Sequence, residues 1–216
     1  MAEDKIMTDW LKEAMQKQEP VEIIYMSGSR PGFTRKLMVV EVFKYKYYAY
    51  DVTDPDKAIK SFTVAATLRV MDLPPEEVKA MNDDANFIYQ KFENFEDLVA
   101  KTPSYFEDKG FRVVIKEDSY EILPLNKRKR RPLIGLYFDD MVVCSYDELA
   151  ARGVTINPET GQWIVPEGVS TMKKTMKHWL LKMPKSKTRF EIFDNAATKF
   201  LANAVAIVKQ ELAQSA

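Results

Sequence analysis

Five consecutive basic residues, Lys127, Arg128, Lys129, Arg130 and Arg131, are the first feature of the sequence that points to a chemistry. Each guanidinium or ammonium group can replace a counterion on a nucleic-acid phosphate, so the run predicts contact with a phosphate backbone. The alternatives are a solvated loop and a nuclear-localisation signal, although nothing else marks the chain as eukaryotic. The leading hypothesis takes the run as a phosphate contact.

A second basic segment, residues 173–189, contains no acidic residue. Its members are Lys173, Lys174, Lys177, His178, Lys182, Lys185, Lys187 and Arg189. The spacing predicts a helix over about Ser170 to Met183, on which the first four of these residues share one face. Trp179 beside them is either a surface on which a base stacks or part of the buried core. The candidate phosphate contacts taken from this segment are Lys173, Lys174, Lys177 and Arg189.

The charge of the chain is unevenly distributed. The 32 basic and 32 acidic residues cancel, so the whole molecule has no global attraction for nucleic acid. Residues 74–110 carry nine acidic and four basic side chains, whereas residues 111–216 carry 12 acidic and 17 basic ones. The acidic middle can dock a basic partner, imitate nucleic acid or keep the protein in solution.

Residues suited to catalysis or metal binding are few. A single His and a single Cys exclude a histidine-based metal cluster and a thiolate cage. Cys144 and His178 are compatible with a nucleophile pair, but Cys144 closes an apolar run and is predicted to be a buried thiol. Asp139 and Asp140 suit either a Mg²⁺ site of a nuclease or a turn. We therefore predict no catalytic residue, no metal and no cofactor, and favour a protein that is not an enzyme.

The cysteine content, the N-terminal charges and the apolar runs of the sequence predict the cellular compartment. Cys144 has no partner for an internal disulfide, and the N-terminus carries acids where a secretory signal carries bases. No apolar run approaches the roughly 20 residues that span a bilayer. We expect a cytoplasmic protein that does not bind membranes.

The N-terminal third alternates short β-type runs with turn residues. The predicted elements are a helix around Asp9–Met15 and strands over Val21–Met26, Lys36–Phe43, Tyr45–Asp51, Ile59–Val64 and Leu68–Leu73. Five such strands within about 55 residues favour a strongly coiled, SH3-like β-barrel, because a barrel buries their apolar positions and leaves few free edges.

This region resembles the WYL domain family over residues 20–73. The match consists of Ile23-Ile24-Tyr25, Arg35, the aromatic strand 45–50 and the segment 60–64. Members of that family are SH3-like barrels associated with bacterial transcription regulators and phage-defence systems, and are thought to bind nucleic acids or nucleotides. The family's Trp-Tyr-Leu falls on Tyr45-Lys46-Tyr47, and its basic pocket residues fall on Thr63 and Ala66. The resemblance therefore implies the barrel and a bacterial or phage protein, without the ligand pocket.

The predicted class is α+β, in three regions. Residues 1–73 form the helix and barrel, residues 74–109 form an acidic helical connector, and residues 110–216 form an α+β domain with basic segments. The expected elements of the last region are hairpins over 111–123 and 154–165, a strand over 133–138, a helix over 146–152 and two terminal helices, the second over Asn195–Gln214.

Two functions remain open at this point. The first is a non-enzymatic protein that binds the phosphate backbone of DNA or RNA through the basic C-terminal segments, with little readout of bases. The second is a protein-interaction module, such as an adaptor, inhibitor or assembly factor. It would use the acidic connector or the aromatic barrel face, where Tyr45, Tyr47 and Tyr48 are candidate hot-spot residues.

Overall fold

The structure is a computed structural model, which describes residues 2–125 and 131–215, and for residues 2–5 it describes the backbone alone. The described chain is a mixture of six α-helices with antiparallel sheets, and it divides between Gln90 and Lys91 into two compact units. The division differs from the three predicted regions. The residues predicted as a connector are shared, since the helix at 75–89 belongs to the first unit and the helices at 95–107 belong to the second.

The first unit is a five-stranded antiparallel sheet with a helix at each end of the sequence. Its elements are α1 (Ala2–Lys17), β1 (Val21–Tyr25), β2 (Thr34–Val42), β3 (Lys46–Asp51), β4 (Lys60–Thr63), β5 (Thr67–Arg69) and α2 (Pro75–Tyr89). A single 3-10 turn, Val64–Ala66, joins β4 to β5. The five strands confirm those predicted from the sequence, to within a few residues at their ends.

The strand order of this sheet is β4-β3-β2-β1-β5. Within the described residues β4 and β5 are the two edges and are not paired, so a closed barrel is not confirmed. The core between the sheet and α1 contains Leu11 of the helix and Ile23, Leu37 and Tyr47 of the strands, all fully buried. This packing follows from the period-2 pattern of the strands facing the apolar stripe of an amphipathic helix.

The second unit is built on another five-stranded antiparallel sheet. Its elements are α3 (Phe95–Lys101), α4 (Pro103–Glu107), β6 (Arg112–Lys116), β7 (Ser119–Leu123), β8 (Ile134–Phe138), β9 (Met141–Val143), α5 (Tyr146–Ala151), β10 (Thr155–Ile156), β11 (Trp163–Ile164), β12 (Met172–Lys174), β13 (Trp179–Met183), β14 (Ser186–Phe190) and α6 (Phe193–Ser215). The order of the large sheet is β14-β13-β8-β7-β6, and β9 pairs with β12 and β10 with β11. Both predicted hairpins, the helix at 146–152 and the last helix are confirmed.

The helix predicted over Ser170 to Met183 is wrong. Residues 172–174 form β12 and residues 179–183 form β13, which lies between β8 and β14. The apolar residues Leu180 and Leu181 are both buried, because a central strand has packed neighbours on both of its faces. The helical spacing of Lys173, Lys174 and Lys177 therefore does not reflect a helix.

Helix α6 covers one face of the large sheet. Its buried Phe200 packs on Tyr120 of β7, with ring centroids 5.1 Å apart. Strand register places Tyr120, Leu136 and Leu181 in one row on this face, and all three are buried. Side chains of the neighbouring rows point to the opposite face, because successive residues of a strand alternate.

Candidate nucleic-acid interface on the C-terminal sheet

The sheet face opposite to α6 is rich in basic residues, and we call it the basic face. The strand register assigns to it five basic side chains and one acidic one, Glu121. The five are Arg112, Lys116, Lys182, Lys187 and Arg189. Three of them come from the 173–189 segment, where Lys182, Lys187 and Arg189 are brought together by the β13–β14 hairpin.

Two of these lysines lie directly opposite each other. Lys182 of β13 is the register partner of Lys187 of β14, on the outer hairpin of the sheet. Like charges at directly opposed positions destabilise a sheet, since their Cβ atoms are only about 4.5–5.5 Å apart. The Lys182 ammonium lies 4.2 Å from the ring centre of Tyr137, and this cation–π interaction stabilises Lys182 in its position. Lys187 is exposed, and the part of the chain that the structure describes gives it no ion-pair partner.

Tyr137 is held flat on the basic face. Its hydroxyl donates a 2.6 Å hydrogen bond to Glu121, and its ring covers Gly135, where a Cβ would meet ring atoms at 2.6 Å. Burial, followed by the hydrogen bond to Glu121, raises the pKa of the Tyr137 hydroxyl far above its ordinary value. The glycine is therefore needed for the close approach of the ring, and the tyrosine stays neutral beneath Lys182.

Basic residues also lie at the end of the sheet where β13 turns into β14, which we call the hairpin end. Lys185 is in that turn, and Arg112 pairs with Leu123 at the same end of the sheet. Leu133 donates its backbone N–H to Ile122, and so the exposed Arg131 lies near this end. The rest of the predicted run, Lys127, Arg128, Lys129 and Arg130, lies outside the described residues.

Arg189 has a structural role. Its guanidinium donates to the Asp139 carboxylate at 2.7 Å and to the backbone carbonyls of Asp139 and Met141 at 2.5 and 2.8 Å. These bonds fix the turn between β8 and β9 against β14. With its donors engaged in this way, Arg189 is a structural residue rather than a free phosphate contact.

Lys173 is also engaged. Its ammonium forms an ion pair with Glu148, and Glu148 at the same time completes the capping box of α5 with Ser145. Lys174 and Lys177 are exposed, and no ion pair of either is present in residues 2–125 and 131–215. Lys173, Lys174 and Lys177 do not share a helical face, because β12 and a loop replace the expected helix.

We expect the Glu148 carboxyl to titrate at pH about 2, well below its ordinary pKa of 4.5. The hydrogen bond from Lys173 lowers this pKa most, followed by the bond from the Ser145 backbone. A lowered pKa in the folded state stabilises the fold above pH 4.5, and that contribution is lost as the pH falls towards 2. Carboxyl-detected NMR titration measures it, and Lys173→Met should move the value back towards 4.5. Titration near 4.5 in the unmodified chain would contradict the ion pair.

The three candidate tyrosines of the first unit differ in environment. Tyr45 is 65% exposed and Tyr48 half-buried, whereas Tyr47 is 0% exposed and bonded to Thr67 at 3.1 Å. The expectation of Tyr47 as a surface hot spot is wrong, since neighbouring residues of a strand point to opposite faces. Tyr45 and Tyr48 instead belong to a patch at the β2–β3 turn with Phe43, Lys44 and Lys46. In this patch Lys46 donates to the Tyr48 hydroxyl at 3.0 Å.

Asp139, Asp140 and Cys144, which were considered for catalysis, contact other parts of the fold. Asp139 accepts from Arg189 and from the Met141 backbone, and Asp140 accepts from the Thr175 backbone through its carbonyl. Cys144 is buried with Leu149 and Val154. Among the described residues, no group of three or more His, Cys, Asp or Glu side chains is arranged to hold a metal ion.

A cleft of about 500 Å³ lies beside the basic face. It is lined by Asp139, Met141, Val142, Val143, Met172, Leu180, Lys182, Lys187 and Arg189. The cleft thus combines an apolar side, from β9 and β12, with the two opposed lysines. Sequence reasoning placed Lys182 and Lys187 in a basic segment but did not select them. The signal that could have found Lys187 was the every-second-residue spacing of Lys185, Lys187 and Arg189, which is typical of a strand face, whereas Lys182 follows only from the hairpin register.

Comparison with family models, with curated proteins and with solved structures gave no match to this chain. Among the helices that the structure describes, none is long and apolar enough to cross a bilayer.

Proposed function

We propose that the basic face binds the phosphate backbone of a nucleic acid and that the protein acts without catalysis. The observation that carries this proposal is the cross-strand pair of Lys182 and Lys187. Two lysines at directly opposed positions cost stability in the free protein, and a phosphate bound by both would offset that cost. Natural proteins tolerate such local conflicts mainly where function requires them.

The surroundings of the pair support the same ligand. Arg112 and Lys116 lie on the same face, and Lys185 and Arg131 lie at its hairpin end. Glu121 is the acid among them, and its carboxylate accepts from Tyr137. The cleft at β9 and β12 would receive an apolar part of the ligand beside the phosphates. Because strands carry these cations, and in the described part of the second unit they are not presented on a helix, we infer contacts to the backbone with little reading of base sequence.

We propose further that Lys127, Arg128, Lys129, Arg130 and Arg131 contribute phosphate contacts of their own. Lys174 and Lys177, which are exposed, remain candidates for additional phosphate contacts. Lys173 and Arg189 are excluded from the proposal, because Glu148 and Asp139 already neutralise them.

The test is fluorescence anisotropy with labelled single- and double-stranded DNA and RNA at about 50 and 200 mM salt. We expect binding at the lower salt that weakens steeply at the higher. In the double variant Lys182→Gln/Lys187→Gln the slope of log affinity against log salt should fall by about 2, because each lysine neutralises one phosphate. A variant with residues 127–131 neutralised should lower the slope further.

The matched control is Lys79→Gln/Lys199→Gln, which removes the same charge from exposed positions of α2 and α6. It should leave the salt slope unchanged. Absence of binding at 50 mM salt, or an equal decrease of slope in the control, would overturn the proposal.

For the first unit we propose an SH3-like architecture of the kind found in WYL domains, in a bacterial or phage cytoplasm. Support comes from a strand order in which β5 follows β1, from the 3-10 turn between β4 and β5, and from a bridge between strands. In that bridge the Tyr25 hydroxyl accepts from the Thr63 backbone at 3.1 Å. An experimental structure of residues 1–90 with strong coiling of the sheet would support the assignment.

A second candidate function is protein interaction through the β2–β3 turn. Tyr45 and Phe43 are exposed there, and Lys44 lies 4.9 Å from the Tyr45 ring centre. Rigid aromatic side chains at a turn bury a large area on binding at little entropic cost. Affinity capture in which Tyr45→Ala loses a partner that Lys182→Gln/Lys187→Gln retains would favour this function over nucleic-acid binding.

A further inference from the structure

A cavity of about 840 Å³ lies in the second unit at the end of the sheet opposite to the hairpin end. Its walls come from the start of α3, the β6–β7 turn, the last residue of β8, the first residue of β13 and the start of α6. The lining residues are Glu93, Asn94, Phe95, Glu96, Lys116, Glu117, Asp118, Phe138, Trp179 and Phe193. We call it the aromatic cavity; of its lining residues the proposed function uses Lys116 alone.

Four aromatic rings form the apolar side of this cavity. Trp179 is central: its ring centroid is 5.6 Å from that of Phe95, 5.3 Å from Phe138 and 4.8 Å from Phe193. Phe138 remains 45% exposed and Trp179 is only partly buried, although both lie on the sheet face that carries the core. Aromatic faces carry negative charge density, so rings that line an open cavity favour a cationic ligand.

The rim has the matching charge. Glu93, Glu96, Glu117 and Asp118 are exposed around the rings, against one base, Lys116. None of these carboxylates takes part in an ion pair within the described chain. The nearby groups are satisfied by one another: the Asn94 side chain caps α3 by accepting from Asp97, and the Asp97 carboxylate accepts from Lys101. With respect to residues 2–125 and 131–215, the four rim carboxylates are thus open to an ion pair with a ligand.

We propose that the aromatic cavity binds an arginine side chain presented by a basic peptide segment of a partner. A guanidinium is planar, stacks on aromatic rings and pairs with carboxylates through two parallel hydrogen bonds, and the cavity offers both kinds of partner. The volume is within the range of ligand pockets and exceeds that of one guanidinium, which leaves room for the neighbouring peptide. This inference does not depend on nucleic-acid binding, because the pair Lys182 and Lys187 that carries that proposal does not line the aromatic cavity; Lys116 is shared by the two surfaces.

The test is NMR titration of the full chain, following the indole N–H signal of Trp179, which Trp179→Phe assigns. The ligands are a short glycine-flanked arginine peptide, the same peptide with citrulline, which keeps the shape and loses the charge, and N-acetylarginine amide. We expect the arginine peptide to shift the signal and to bind at least tenfold more tightly than the citrulline peptide. Equal shifts with both peptides, or none with either, would overturn the proposal.

Two variants locate the site. Phe138→Leu should weaken the arginine peptide about tenfold because it removes a cation–π interaction. Glu93→Gln/Glu117→Gln should weaken it in a salt-dependent way, whereas the control Glu159→Gln/Glu167→Gln, with the same charge change outside the cavity, should not. An equal weakening in the control refutes the cavity as the site. N-acetylarginine amide binding as tightly as the peptide would refute a peptide as the occupant.

Discussion

Replacing Tyr47 with alanine should lower the free energy of unfolding by about 3 to 5 kcal/mol, the range found when a large buried aromatic residue is truncated. Tyr47 is fully buried and stacks on Phe62, with ring centroids 5.3 Å apart. Its hydroxyl also bonds to Thr67, and burial raises the pKa of this hydroxyl to about 12, so it stays neutral. Urea denaturation followed by circular dichroism measures the loss, and hydrogen exchange of the β3 amides locates it.

The matched control is Tyr45→Ala, two residues away in the same chain segment. Because Tyr45 is exposed, its truncation should change the free energy of unfolding by no more than about 0.5 kcal/mol. The pair of variants separates the core residue from the surface residue. Similar losses at both positions would contradict the placement of Tyr47 in the core.

Replacing Arg189 with methionine should cost about 2 kcal/mol of stability. The change leaves the Asp139 carboxylate and the carbonyls of Asp139 and Met141 without their donor, and hydrogen bonds to a charged group contribute about 1.5 to 3 kcal/mol each. Both partners of the pair are partly exposed, so water replaces much of what is lost and the expected cost is well below the sum over the three acceptors. Urea denaturation measures the loss.

Lys187→Met is the control for this variant, since it removes a charge two positions away on the same sheet face. It should be neutral or slightly stabilising, because it relieves the repulsion with Lys182. Arg189→Lys should recover only part of the loss, since one ammonium cannot reach the same set of acceptors as a guanidinium. Full recovery by lysine would contradict the hydrogen-bond network.

Local sequence patterns predicted most strands because the residue types within each strand and in its turns are sufficient to indicate it. The β6–β7 and β10–β11 hairpins combine β-branched and aromatic residues with turn residues, and α6 has an apolar stripe along its length. Residues 170–183 carry weaker signals. Lysines at 173, 174 and 177 fit a helix face as well as strand and loop, and pairing of β13 with β8 and β14 decided the outcome.

The candidate site was predictable as a basic segment but not residue by residue. Lys173 and Arg189 are neutralised by Glu148 and Asp139, which lie 25 and 50 positions away in the sequence. Lys182 and Lys187 become a pair only through the register of a hairpin. Tyr47 was predicted to be on the surface because the aromatic composition of residues 45–50 does not show which rings are buried. The alternation of side chains along β3 decides which of these rings face solvent.

The sheet of the second unit separates charge along its strands. Lys182, Lys185 and Lys187 lie towards one end, and Glu117 and Asp118 lie at the other, a strand length of about 16 Å away. A chain with no net charge can therefore still have a substantial dipole moment. In the field of a polyanion this moment would rotate the unit before contact, so that the hairpin end leads and the aromatic cavity faces the surrounding solution.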